Sequence, residues 1–181
     1  MKGLIFVELI RMAESVMSEE QVDDILDEAN LQSDAAYSTV GKYPCSELLT
    51  LVEAFGKHLD TPVENLYVRF GHWIFSTFAK SNPGFFHGRS DAFDMLEAID
   101  CEIHVEVRKL YPDAELPRFE TERSGENELI MRYRSDRPLR HFCLGMIEAC
   151  VQHFGRPAEV TMSDVEGANA CSADFSVRWV A

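Results

Sequence analysis

Apolar side chains recur at helical spacing through the first half of the chain. Ile5, Leu9, Met12 and Val16 step by four, three and four positions, the stripe of an amphipathic helix. The segment 19–30, EEQVDDILDEAN, predicts a short acidic helix. Ser46 opens a third, with Leu48, Val52, Phe55 and Leu59 on one face. Thr61-Pro62 sets a proline in the first turn of a fourth. There Leu66, Phe70, Trp73 and Thr77 form one stripe and Phe70, Ile74 and Phe78 its neighbour, so little of that helix is wet. Asn82-Pro83-Gly84 predicts a loop over 81–89. Ser90 or Asp91 then caps a helix over 92–110, apolar at Phe93, Leu96, Ile99, Ile103, Val107 and Leu110 and ended by Tyr111-Pro112.

Beyond Pro117 the period shortens to two. Residues 118–123 and 128–135 alternate like paired strands around Ser124-Gly125-Glu126-Asn127. A helix over 138–154 follows, then strands over 158–164 and 173–180 joined by a turn containing Gly167. Helices first, then strands enclosing one helix, predict an α+β chain with antiparallel pairing. The 181 residues suit one domain or two small lobes sharing a core.

Charge narrows the partners. With 31 acidic and 17 basic side chains the formal net charge is −14, a surface that repels phosphate backbones and anionic headgroups. Nucleic acid and membrane are therefore not expected partners. Five cysteines without a C-x-x-C pair do not make a disulfide framework. The opening MKGLIFVELIRMAESV lacks a signal-peptide pattern, and no run is long enough to span a bilayer, so a cytoplasmic location is expected. Twelve Phe suit either a large apolar cavity or ordinary core packing.

Two groups of residues carry candidate chemistry. In LIMRYRSDR, Tyr133, Ser135 and Arg137 alternate, and on a strand they would share one face. All three donate hydrogen bonds, and Arg grips a carboxylate with two parallel bonds, so the comb suits a ligand with two carboxylates. A solvated strand face gives the same spacing. His104 lies on the 92–110 helix beside Ile103 and Val107, in the row that includes Asp100 and Arg108. A neutral imidazole facing an apolar cavity can ligate haem iron, although a hydrogen-bonded histidine at a core edge looks the same in sequence. No hydrolase triad, phosphate loop or zinc-protease spacing is present, which argues against an enzyme. Asp23, Asp24 and Asp27 read as a solvated face, and His87 as a loop residue.

Taken together, the opening MKG, the segment IHVEVRKLYPDAELP, the Y-x-S-x-R run and the following FCLGMIEA resemble the haem-nitric oxide/oxygen binding (H-NOX) family. That family includes stand-alone bacterial sensors and the sensory domain of soluble guanylate cyclase. The resemblance extends from Met1 to the last strand. It implies a single domain over 1–181, with a helical distal lobe over about 1–62, a proximal lobe of helices on an antiparallel sheet over 63–181, and ferrous haem b between them. By similarity His104 is the iron ligand, and Tyr133, Ser135 and Arg137 bind the propionates. Pro117, thirteen residues after His104, presses on the porphyrin, and Ile5 and Phe78 pack against it.

The same resemblance addresses gas selectivity. Oxygen-binding members carry a tyrosine donor on the helix after the propionate motif, worth about 1.5–3 kcal/mol to bound dioxygen, or about ten- to a hundred-fold in affinity. The matching position here, nine after Tyr133, is Phe142, and its expected pocket partners are Leu9 and Ile74, neither a donor. The expected function is thus a gas sensor binding nitric oxide and carbon monoxide and excluding dioxygen. Nitric oxide opposite His104 would loosen the imidazole, and the lobes would rotate. The implied reader is a separate histidine kinase, diguanylate cyclase or phosphodiesterase. An oxygen or redox haem sensor and a haem-free interaction module are the alternatives. Some relatives carry a Cys/His zinc site, for which His141, Cys143, Cys150, His153 and Cys171 are the weak candidates here.

Overall fold

The four stripes of the first half fold as α1 (Gly3–Glu14), α2 (Glu19–Glu28), α3 (Cys45–His58) and α4 (Val63–Ser81) in a computed structural model that describes residues 1–180. The start of α2 is fixed by a capping box, in which the Ser18 side chain accepts from the Gln21 backbone and Gln21 answers to Ser18 N–H. Val16, expected on the first stripe, falls past the end of α1 and is exposed. The loop expected over 81–89 contains one 3-10 turn, Pro83–Phe86.

Asp91 caps the next helix, its carboxylate accepting from Asp94 N–H at 3.0 Å. The single helix expected over 92–110 is interrupted: α5 (Ala92–Ala98) passes into a π-helical turn (Ile99–Ile103), and α6 (His104–Leu110) resumes at His104. Such wide turns are rare and often mark functional positions. Hydrophobic spacing gave no sign of it, because the steps from Phe93 through Leu96, Ile99, Ile103 and Val107 to Leu110 are threes and fours throughout.

The strands β1 (Arg118–Arg123), β2 (Glu128–Arg134), β3 (Ala158–Ser163) and β4 (Ala173–Trp179) form one antiparallel sheet in the order β1-β2-β4-β3. Helix α7 (Arg140–Phe154) connects β2 to β3. Leu129, Met131 and Tyr133 of β2 point inward, level with Val177, Phe175 and Ala173 of β4. They pack with α5 and α7 in one core, whereas α1, α2, α3 and most of α4 form a second around Phe6, Leu9, Leu51, Phe55 and Phe70. Helix α4 serves both, since its Phe75 belongs to the sheet-side core. It makes the most extensive helix contact of the fold with α7.

One carboxylate is buried where α1 crosses α4. Glu8 accepts from Trp73 Nε1 at 2.9 Å, Thr77 Oγ1 at 3.1 Å and Arg11 Nη1 at 2.7 Å. Burial pushes this carboxyl up, but the bonds from Trp73, Arg11 and Thr77 outweigh it, so its pKa lies below the ordinary value. A depressed pKa stabilises the fold above the unfolded value of about 4.3, and the benefit is lost as pH falls through the folded value. Glu8→Gln is expected to lower stability at pH 7 by about 1–3 kcal/mol and to flatten the acid-dependent part of the loss. Urea unfolding at pH 7 and pH 3 measures both; equal acid sensitivity in variant and wild type would clear Glu8 of the effect.

Candidate functional site

Between the two cores lies a cavity of about 930 Å³, at the large end of the roughly 300–1,000 Å³ of small-molecule sites. Its walls are mainly apolar. Ile5 of α1 and Ile74 and Phe78 of α4 face it from the helical side, with Phe142 of α7. The opposite wall is built from Leu96 and Ile103, from His104 at the start of α6, and from Pro117 and Phe119. Tyr133, Ser135 and Arg137 line it as well. The structure therefore brings nine of the ten sequence-predicted residues to one cavity. Leu9 is the exception: it is fully buried in the helical core and is not a lining residue. The stripe that carries Ile5 and Leu9 correctly points both inward, but only Ile5, near the start of α1, reaches the opening between the cores.

His104 is 9% exposed. Its Nδ1 lies 3.2 Å from Asp100 Oδ1, and no described residue hydrogen-bonds its Nε2. Burial lowers the imidazole pKa below its ordinary value, against the opposing pull of Asp100, so the ring is neutral at pH 7. The Phe119 ring sits 5.8 Å away on the sheet side.

Tyr133, Ser135 and Arg137 do not form the strand comb that their alternation predicts. Strand β2 ends at Arg134, and Ser135 Oγ accepts from Arg137 N–H at 3.0 Å in the turn that follows. The turn, and not the pleat, brings the last two side chains to the cavity. Tyr133 is buried, and that burial pushes its phenol well above the ordinary range, so it remains a hydroxyl donor.

Arg137 pairs with Glu115. Glu115 also meets Lys42 at 3.7 Å, and Asp113 meets Lys2 at 3.0 Å and Lys42 at 3.7 Å. All five residues line the cavity and form one connected charged cluster there. Sequence reasoning missed Lys2, Lys42, Asp113 and Glu115, because their partners are remote in the chain. The Asp100–His104 pair was within reach, being four apart in one helical row.

The cysteine and histidine candidates for zinc do not converge. Among the described residues no group of three or more His, Cys, Asp or Glu could hold a metal ion. His153 instead packs against the rings of Phe75, Phe86 and Phe154. Cys143 and Cys150 are buried, and burial raises both thiols, Cys150 to about 12. Among the described residues no helix is long and apolar enough to cross a membrane.

The haem-NO-binding family model matches residues 2–162. The Fe(II) unliganded H-NOX protein from K. algicida is 34% identical, the match covering 100% of this chain and 97% of that one, with a TM-score of 0.93. The H-NOX from Shewanella woodyi, solved in the Fe(II)CO ligation state, is 33% identical over 99% of this chain and 95% of that one, with a TM-score of 0.85. An H-NOX protein from S. oneidensis in the Fe(II)NO ligation state, 24% identical, covers both chains completely at a TM-score of 0.90 and shares the fold. No curated protein matches.

Proposed function

Because the chain belongs to the haem-NO-binding, or H-NOX, family, a family of haem-based gas sensors, we propose that it binds ferrous haem b in the cavity and responds to nitric oxide. The observation that carries this reading is the donor set of the cavity: one neutral, buried imidazole on an apolar wall, with Tyr133, Ser135 and Arg137 on the same lining. A single nitrogen ligand and donors for two carboxylates fit a haem and its propionates. When bound, the ferrous iron supplies one coordination position for a diatomic gas.

The residues divide the work. His104 holds the iron through Nε2. Tyr133 and Ser135 would donate to the propionates, and Arg137, now paired with Glu115, would offer its guanidinium to a propionate of the same charge. Pro117, Ile5 and Phe78 pack on the macrocycle and restrict its shape. Ile74 and Phe142 form the gas-facing wall, and neither side chain carries a donor. Dioxygen needs a donor to stabilise the negative charge it acquires on binding, whereas nitric oxide and carbon monoxide need it less. The wall therefore selects nitric oxide and carbon monoxide. Binding is read out by a separate effector of the histidine kinase or cyclic-di-GMP (diguanylate cyclase or phosphodiesterase) class.

The visible spectrum of the reduced protein tests this directly. It should be unchanged by air and shifted by nitric oxide and by carbon monoxide. A stable oxygenated spectrum would make it an oxygen sensor, and a colourless protein after haem reconstitution would end the haem reading. Phe142→Tyr places a hydroxyl on the gas-facing wall and is expected to raise dioxygen affinity about ten- to a hundred-fold. Titration with air-saturated buffer measures it, and an unaltered response would mean that position 142 does not face the gas.

A further inference from the structure

We infer that Asp100 is a positioning residue for His104: its carboxylate accepts the Nδ1 hydrogen, which fixes the tautomer whose Nε2 lone pair serves the cavity and makes that nitrogen a stronger donor to iron. The inference rests on the cavity being a haem site, and it adds a residue that sets how firmly the imidazole holds.

Asp100 lies in the π-helical turn Ile99–Ile103, and His104 is the first residue of the α-helix that resumes after it. The two approach to 3.2 Å. This is the one hydrogen bond or ion pair that the Asp100 side chain makes among the described residues. Arg89 pairs with Glu102 in the same turn and Arg123 with Asp94 and Glu97, while Arg108, one turn beyond His104 in the same row, makes no ion pair with Asp100. The Arg89–Glu102 pair ties the outer side of the turn to the 87–91 loop. The Phe119 ring stands beside the imidazole, so its plane is bounded by Asp100 and β1.

As a contribution to stability the contact is minor, since Asp100 is partly exposed and its partner is a neutral ring. Its importance is which nitrogen carries the hydrogen. A neutral imidazole has one N–H, and a carboxylate only accepts, so a carboxylate at Nδ1 assigns the hydrogen there and leaves Nε2 as the ligand atom. The same partner polarises the ring toward its anion and raises ligand basicity, as outer partners of metal-bound histidines do generally. With haem bound, an imidazole held this way would be harder to displace from the iron.

Two measurements on wild type, Asp100→Asn and Asp100→Ala test the proposal. Nitrogen-15 NMR of the haem-free chain reads the His104 tautomer. Resonance Raman of the reduced haem-loaded chain reads the iron–histidine stretch. Wild type should show the Nδ1–H tautomer, and Asp100→Asn should keep it, because the amide oxygen still accepts. Asp100→Ala should mix the tautomers. The stretch should fall in frequency from wild type through Asp100→Asn to Asp100→Ala, with haem affinity down roughly tenfold in the last, the lower end of the ~10–100-fold seen for outer partners. An unchanged tautomer and stretch in Asp100→Ala would overturn the inference while leaving His104 as the ligand. If haem bound through some other residue, the proposed function would fail, and the tautomer of the haem-free variants would still decide whether Asp100 orients His104.

Discussion

On the proposed assignment, replacing His104 by glycine should give a folded protein that has lost its iron ligand and, with it, gas-dependent control of any effector. A glycine in a helix costs about 1 kcal/mol relative to alanine, small against the roughly 5–15 kcal/mol that holds a domain together. The cavity walls therefore survive. Cys143 and Cys150 also line the cavity, but their thiols are pushed up by burial and remain protonated at neutral pH. Haem affinity should fall by more than the ~10–100-fold expected for an outer partner such as Asp100. The space vacated by the ring can admit free imidazole. Adding imidazole to the reduced variant should then restore the spectrum, but not control of the effector, because the added ligand is no longer joined to α6. A His104→Gly spectrum identical to wild type before any imidazole is added would remove His104 from the iron.

The reason such a prediction could be framed from sequence lies in what each signal depends on. The helices of the first half were legible because their apolar residues are local and periodic, and Asp91 could be offered as a cap from its place before Phe93. The sheet followed from alternation at Leu129, Met131 and Tyr133. Events that depend on distant partners were not legible. Strand β2 stops at Arg134 and not one residue later, since Ser135 turns to accept from Arg137. Leu9 and Ile5 share a stripe, but only the gap between two cores decides which of them reaches the cavity. The charged cluster of Lys2, Lys42, Asp113 and Glu115 joins residues up to 113 positions apart in chain order, beyond any local pattern.

Close approach of α4 and α7 sets up the second large effect. A Cβ added to Gly145 would stand 2.0 Å from Val68 O and 2.9 Å from Val68 Cα, and one added to Gly71 would stand 2.3 Å from Phe142 O. These are backbone atoms, which cannot swing aside as a flexible side chain would, so the two helices must part. Ordinarily a glycine-to-alanine change inside a helix gains up to about 1 kcal/mol. Here overpacking reverses the sign, and Gly145→Ala is expected to lose about 3 kcal/mol. At roughly 2–4 °C per kcal/mol for a chain of this size, the melting temperature should drop by about 6–12 °C. Gly84→Ala is the matched control: its Cβ meets nothing within 4 Å, so its melting temperature should stay near wild type. The loss should reach the cavity too, because Ile74 and Phe78 ride on α4 and Phe142 and Met146 on α7. Parting those helices widens the wall proposed to face the gas, and carbon monoxide rebinding after flash photolysis should then change in Gly145→Ala and not in Gly84→Ala. Combining Gly71→Ala with Gly145→Ala should lose less than the sum of the two, since helices already parted by one methyl admit the second more easily. A melting temperature for Gly145→Ala at or above wild type would show that the helices yield freely, and the rigid crossing could then not be what shapes the pocket.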